Sequence, residues 1–176
     1  RRQRQMCIRD SLSGTPELTV TEPESGFPVI EVQTPVSAAT IALHGAQVLT
    51  WSPTDHPPVL YVSPKAKMNE GKALRGGIPI CWPWFGNHPD DPEMPAHGFA
   101  RTRFWELVSG EMVGKMATLV FKLVSDDETK ALFPFDFELT ATIRVADKLR
   151  VKLNMKNTGE EIYNCLLYTS PSPRDP

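Results

Sequence analysis

The chain has 176 residues, 40% of them hydrophobic, enough for the core of one globular domain. No apolar run approaches the roughly eighteen residues of a helical membrane span. A formal charge of -2 supplies no basic face for nucleic acid, so neither a membrane nor a nucleic-acid partner is expected.

Residues 1–11, Arg-Arg-Gln-Arg-Gln-Met-Cys-Ile-Arg-Asp-Ser, read as a tail outside the fold, and so do residues 165–176, which begin Cys-Leu-Leu-Tyr-Thr-Ser-Pro-Ser-Pro-Arg-Asp. Both ends resemble translated adapters from transposon-based sequencing libraries, and as non-native flanks they are set aside from fold reasoning. A basic targeting leader and a Pro/Ser tail are the plainer alternatives. On the adapter reading the native portion is 12–164, the gene is cut at Asn164, and the natural C-terminal part is missing. The flanks carry five basic residues (Arg1, Arg2, Arg4, Arg9, Arg174) and two acidic ones (Asp10, Asp175), which leaves 14 basic against 19 acidic side chains, a net -5. Only Cys81 remains of the three cysteines. That argues against a disulfide framework and for a reducing, cytoplasmic compartment.

Residues 12–26 are rich in Gly, Ser, Thr, Pro and Glu and predict a loose lead-in. Strand patterns follow at Val29–Gln33, Ala39–Leu43, Ala46–Trp51 and Val59–Val62, separated by Pro and Asp turn chemistry. Residues 73–105 then hold Arg75, Arg101, His88, His97 and three of the four tryptophans in a stretch with no sustained period. A long irregular connection of this kind usually builds a binding or catalytic site. An aromatic floor ringed by cationic donors suits a polar, anionic ligand.

Beyond it, Phe104–Val108 and Ala117–Val124 predict a strand pair bridged by Gly110 and Gly114, the second strand alternating Leu119, Phe121 and Leu123. Ser125–Leu132 is the one helix candidate, with Ser125 or Asp126 as its N-cap and acids in the first turn. Pro134 ends it. The clearest hairpin sets Phe135, Phe137, Leu139, Ala141, Ile143 and Val145 against Leu149, Val151, Leu153 and Met155, with its turn at Asp147-Lys148. Many strands and one short helix mean an all-β sandwich or barrel.

The run Leu74-Arg75-Gly76-Gly77-Ile78-Pro79-Ile80-Cys81-Trp82-Pro83-Trp84-Phe85-Gly86, with Pro95-Ala96-His97-Gly98-Phe99-Ala100-Arg101 after it, resembles the signature of the glucose-6-phosphate 1-epimerase branch of the aldose 1-epimerases. His44–Val48, Trp51, Glu128-Thr129-Lys130 and Asn157-Thr158-Gly159 add to the resemblance, which covers about residues 27–164. It implies the galactose-mutarotase-like β-supersandwich, here truncated after its N-terminal portion, and an isomerase acting on a small-molecule hexose phosphate, a monomer when full length. Half a sandwich would leave sheet edges and an apolar face uncovered, so aggregation is expected on expression.

Interconverting anomers requires a base for the C1 hydroxyl and an acid for the ring oxygen, and neither a metal nor a nucleotide cofactor. By resemblance the acid is a His soon after the Asn-Thr-Gly turn and the base a late Glu. Both would lie beyond Asn164, so no catalytic residue is assigned within the chain and the fragment itself is expected to be inactive. What remains is binding. The resemblance puts Arg75 and Arg101 on the 6-phosphate, a task that suits the planar guanidinium fork, and His97 on sugar hydroxyls, with Gln47 a further sugar contact.

Each of these roles has a plainer counterpart: ion pairs of the arginines with Asp90, Asp91 or Glu93, a loop-fixing His97, and a strand-end hydrogen bond for Gln47. Trp82, Trp84 and Phe85 could stack on a pyranose, although an aromatic run is more often core. His44, His56 and His88 lack metal-site spacing, and Gly76-Gly77 is not a P-loop. A non-catalytic sugar-phosphate-binding sandwich is the alternative to the epimerase.

Overall fold

A computed structural model describes residues 12, 15–24, 26–63, 66–69 and 71–165. Residues 1–11 and 166–176, on which the adapter reading rests, lie outside them. Among the described residues eight strands run in chain order: β1 (Leu18–Glu24), β2 (Phe27–Gln33), β3 (Ser37–Ala42), β4 (Gln47–Pro53), β5 (Glu106–Val113), β6 (Met116–Val124), β7 (Phe137–Val145) and β8 (Leu149–Asn157). They form two four-stranded antiparallel sheets, β1-β2-β3-β4 and β5-β6-β7-β8, each paired strictly between sequence neighbours. The one α-helix among the described residues, α1 (Asp127–Leu132), joins β6 to β7. The all-β sandwich expectation holds.

One apolar core takes Ile30, Val32, Ile41 and Val48 from the first sheet and Leu107, Leu119, Phe121, Leu139 and Ile143 from the second. Trp82, Trp84, Phe99 and Trp105 from the irregular segment join it, so the aromatic run is mostly core. A smaller cluster of Val29, Ala42, Leu49 and Leu74 lies apart, with Val62, Ala66 and Met68 packed against it. Residues from alternate faces of β2 and β3 enter different clusters, which buries both faces. This is why Val29 and Ile30 are adjacent in sequence and both buried.

The helix begins as expected. Asp126 accepts the Thr129 N–H at 2.7 Å, and the Thr129 hydroxyl accepts the Asp126 N–H at 2.8 Å, a reciprocal capping box. The β7–β8 hairpin pairs Val145 with Leu149 around Asp147-Lys148, as its alternation predicts. Every second residue of β7 from Phe137 to Val145 is buried. The matching row of β8 is only half-buried at Leu149, Val151 and Leu153 and reaches 41% exposure at Met155.

Three local expectations need correction. The supposed lead-in contains β1, which pairs with β2 and buries Leu18. Gly110 is not a turn residue: it lies within β5 opposite Leu119, and a Cβ there would collide with the Leu12 side chain. Only Gly114, at φ +60°, serves the β5–β6 turn. Finally, Val59–Val62 makes a single bridge, Val62 to Gly76, rather than a strand.

Candidate functional site

The site is organised by the turn between β3 and β4. On one side the Gly45 N–H donates to the Arg103 carbonyl at 2.7 Å, and the Trp105 N–H donates to the Leu43 carbonyl at 2.9 Å. His44 bridges to Phe104. Gly45 has φ +79°, and a Cβ on it would lie 2.8 Å from the Arg101 carbonyl oxygen, so glycine is what lets the Arg101 backbone approach.

On the other side of the same turn, the Gln47 carboxamide donates to the carbonyls of Leu74 at 3.3 Å and Gly76 at 2.5 Å. The Ile78 N–H donates to the Val48 carbonyl and the Gly77 N–H to the Tyr61 carbonyl, each at 2.9 Å. Gly77, at φ +62°, passes so close to β4 that a Cβ would collide with the Val48 carbonyl oxygen. Arg75 and Arg101, 26 positions apart in sequence, are thus carried on two segments that grip one hairpin turn.

Neither arginine forms an ion pair among the described residues, whose salt bridges are Arg103–Glu128, Lys122–Glu138 and Lys130–Asp136. Arg75 is exposed, and its side chain has no hydrogen-bond partner among those residues. Arg101 is half-buried, donates from Nη2 to the Ala96 carbonyl at 2.7 Å, and keeps a buried Nε without a partner. Asp91 spends its carboxylate on the Glu93 N–H. The surface ion pairs weighed as the plainer reading of the arginines are not formed.

His97 sits at φ +65°. Its N–H donates to the Gly86 carbonyl at 2.6 Å, and its Nδ1 accepts the Gly86 N–H at 3.1 Å. A neutral imidazole with Nδ1 as acceptor carries its proton on Nε2, so the free edge of the ring is a donor. Phe85 meets the ring edge-on, centroids 4.7 Å apart. Next to it, Gly98 pairs in a parallel bridge with Trp82, whose carbonyl accepts the Phe99 and Ala100 N–H groups at 3.0 and 3.2 Å. A short 3-10 turn, Ala100–Thr102, then presents Arg101.

Cys81, half-buried, has its thiol pushed up by burial, against which the Arg101 guanidinium acts. Gln47 is fully buried at 0% exposure, and both of its N–H groups are committed to backbone. No sequence signal marks that commitment, because the acceptors lie 27 and 29 residues away.

A cleft of about 550 Å³ lies to the side of these groups and is lined by Phe99, Arg103, Phe104, Asp126, Glu128 and Leu132 among others. None of Gln47, Arg75, His97 and Arg101 lines it. No group of three or more His, Cys, Asp or Glu among the described residues is placed to hold a metal.

The family description "Aldose 1-epimerase" matches residues 28–167. The chain belongs to the aldose 1-epimerase family. An Escherichia coli (strain K12) relative named "Putative glucose-6-phosphate 1-epimerase" is 40% identical over 125 residues, which cover 71% of the chain and 42% of the relative. A plant relative of the same name, from Cenchrus ciliaris, is 31% identical over 70% of the chain and 39% of its own length. Among solved structures, a "putative mutarotase" from Salmonella typhimurium superposes with a TM-score of 0.78 at 35% identity, covering 82% of the chain and 48% of that protein. A galactose mutarotase-like protein from Lactobacillus casei shares the fold, with a TM-score of 0.59 at 22% identity. This aldose 1-epimerase family chain therefore spans about half the length, or less, of the relatives it matches, and its fold is the galactose-mutarotase-like sandwich.

Proposed function

We propose that the chain is the sugar-phosphate-holding portion of an enzyme that interconverts the α and β anomers of hexose 6-phosphates. The carrying observation is that Arg75 and Arg101 are held on one hairpin turn, Arg75 with its whole guanidinium unspent on the described residues and Arg101 with its Nε–H unspent beside the bond from Nη2 to Ala96. Two guanidinium forks directed at one dianionic group form short, charge-assisted hydrogen bonds. The Nε2–H of His97 supplies a neutral donor suited to a sugar hydroxyl. The names of the E. coli and C. ciliaris relatives support the same substrate class.

Opening the pyranose ring takes a base at the C1 hydroxyl and an acid at the ring oxygen; the aldehyde then rotates and the steps reverse. No histidine follows His97 in the chain, so the acid expected after Asn157-Thr158-Gly159 is assigned to the part of the enzyme beyond these residues, with the carboxylate base. On this reading the 176-residue chain binds hexose 6-phosphate without turning it over.

Titration calorimetry with glucose 6-phosphate and glucose, beside NMR exchange spectroscopy between the anomers, tests both halves of the reading. Arg75→Ala and Arg101→Ala should weaken the phosphate ester far more than the free sugar, and equal losses for the two would refute the phosphate role. Anomer exchange accelerated by the chain would refute its inactivity.

A further inference from the structure

We propose that Gln47 is a positioning residue for Arg75, an inference that rests on the sugar-phosphate reading above. The Gln47 carboxamide donates to the carbonyl immediately before Arg75, that of Leu74 at 3.3 Å, and to the one immediately after, that of Gly76 at 2.5 Å. The two N–H groups of one side chain therefore fix the peptide on both flanks of the arginine. Gly76 has φ +119°, and a Cβ there would sit 2.5 Å from the Tyr61 carbonyl oxygen, so on the C-terminal side of Arg75 no side chain is available to pack at Gly76 or Gly77, whereas Leu74 on the other side is buried.

Because Gln47 is fully buried and has no N–H left over, its contribution to a ligand passes through Arg75. Its Oε1 is buried without a partner, so the amide orientation is set by the two donor bonds alone. An exposed arginine followed by two glycines would lose much of its fork geometry to backbone motion; the carboxamide restricts that freedom before a ligand arrives. The device is specific to a side chain with two donors at this reach. Glutamate has the same shape and no donors, and methionine has similar volume and neither donor nor charge.

The test uses the whole 176-residue chain with Gln47→Met and Gln47→Glu, each checked for a cooperative melt. Amide hydrogen exchange at Gly76, Gly77 and Ile78 should accelerate by about tenfold or more when the two buried bonds are lost, with β6 and β7 unchanged. Wild-type protection at these amides in Gln47→Met would overturn the proposal without reference to any ligand.

For the link to Arg75, glucose 6-phosphate affinity is measured by calorimetry in a double-mutant cycle. Gln47→Met should weaken binding by about tenfold in the wild-type background and add little once Arg75→Ala is present. The same loss in both backgrounds would mean that Gln47 is merely structural, which overturns the proposal. A wild-type chain that fails to bind glucose 6-phosphate would sink the sugar-phosphate reading, while the exchange measurement still decides whether Gln47 fixes the segment.

Discussion

His97 and Gly86 are joined by two hydrogen bonds in opposite senses: the His97 N–H donates to the Gly86 carbonyl at 2.6 Å, and the Gly86 N–H donates to His97 Nδ1 at 3.1 Å. The pair closes the irregular segment between Trp84 and Gly98 into a loop that holds the imidazole by one nitrogen and frees the other. Loop fixing and ligand contact are thus compatible roles for one ring.

The His97 backbone lies in the left-handed region, at φ +65°, which Asn tolerates and β-branched residues resist. His97→Val should cost roughly 1–2 kcal/mol more than His97→Asn for this reason. Urea denaturation of the two variants decides it; equal stabilities would mean that the loop relaxes freely.

Gly98→Ala should be more severe. It combines φ +69° with a Cβ driven into the Trp82 carbonyl oxygen, which already accepts two backbone bonds. A loss of at least about 2 kcal/mol is expected, together with a red shift of tryptophan emission as Trp82 gains water. An alanine variant with wild-type stability would contradict the close approach described here.

Asp126 offers a pH signature. Burial pushes its carboxyl up, but the Thr129 backbone and side-chain bonds, the Arg103 charge and the Glu128 N–H together outweigh that effect and hold it below its usual value. A carboxylate with a depressed folded value contributes stability that is present above the unfolded value of about 3.9 and is lost as the pH falls through the lower folded value. Asp126→Ala should cost about 1 kcal/mol at neutral pH. Asp126→Asn should retain most of the cap, and the advantage of Asp over Asn should shrink as the pH falls below about 3.9 and vanish once it is below the lowered folded value. A gap between Asp and Asn that persists at pH 2 would contradict the capping account.

Cys81 reports on Arg101. Because burial pushes its thiol up and Arg101 only partly opposes this, alkylation by iodoacetamide at pH 7 should be slow beside that of the exposed Cys165. Arg101→Ala should slow it further, and inorganic phosphate bound at Arg101 should act in the same direction. Peptide-resolved mass spectrometry separates the cysteines. A Cys81 that outpaces Cys165 would place it in a different environment.

Legibility in the sequence followed how local the deciding interactions are. The β7–β8 hairpin and the Asp126 cap depend on neighbours within a few residues, and both were readable. β1 was missed because its burial is confined largely to Leu18, and a Thr- and Glu-rich edge strand shows no alternation. Gly110 looked like a turn because the reason for its glycine, the Leu12 side chain, lies almost a hundred positions away.

At the site, the motif identified Arg75, His97 and Arg101 as a set. Nothing in its letters could say that Gln47 spends its amide on the flanks of Arg75. That bond belongs to tertiary structure, as does the left-handed backbone of His97.

The strictly sequential pairing of both sheets bears on how the chain folds. Every strand pairing joins sequence neighbours, across short turns except for the α1 connection between β6 and β7, so each sheet can form with little loop-closure entropy to overcome. The non-local step is expected to be the one that seats Trp82, Trp84, Phe99 and Trp105 in the core they share with both sheets. Arg75 and Arg101, the proposed phosphate contacts, sit on this segment, so the expected order places them after the hairpins have formed.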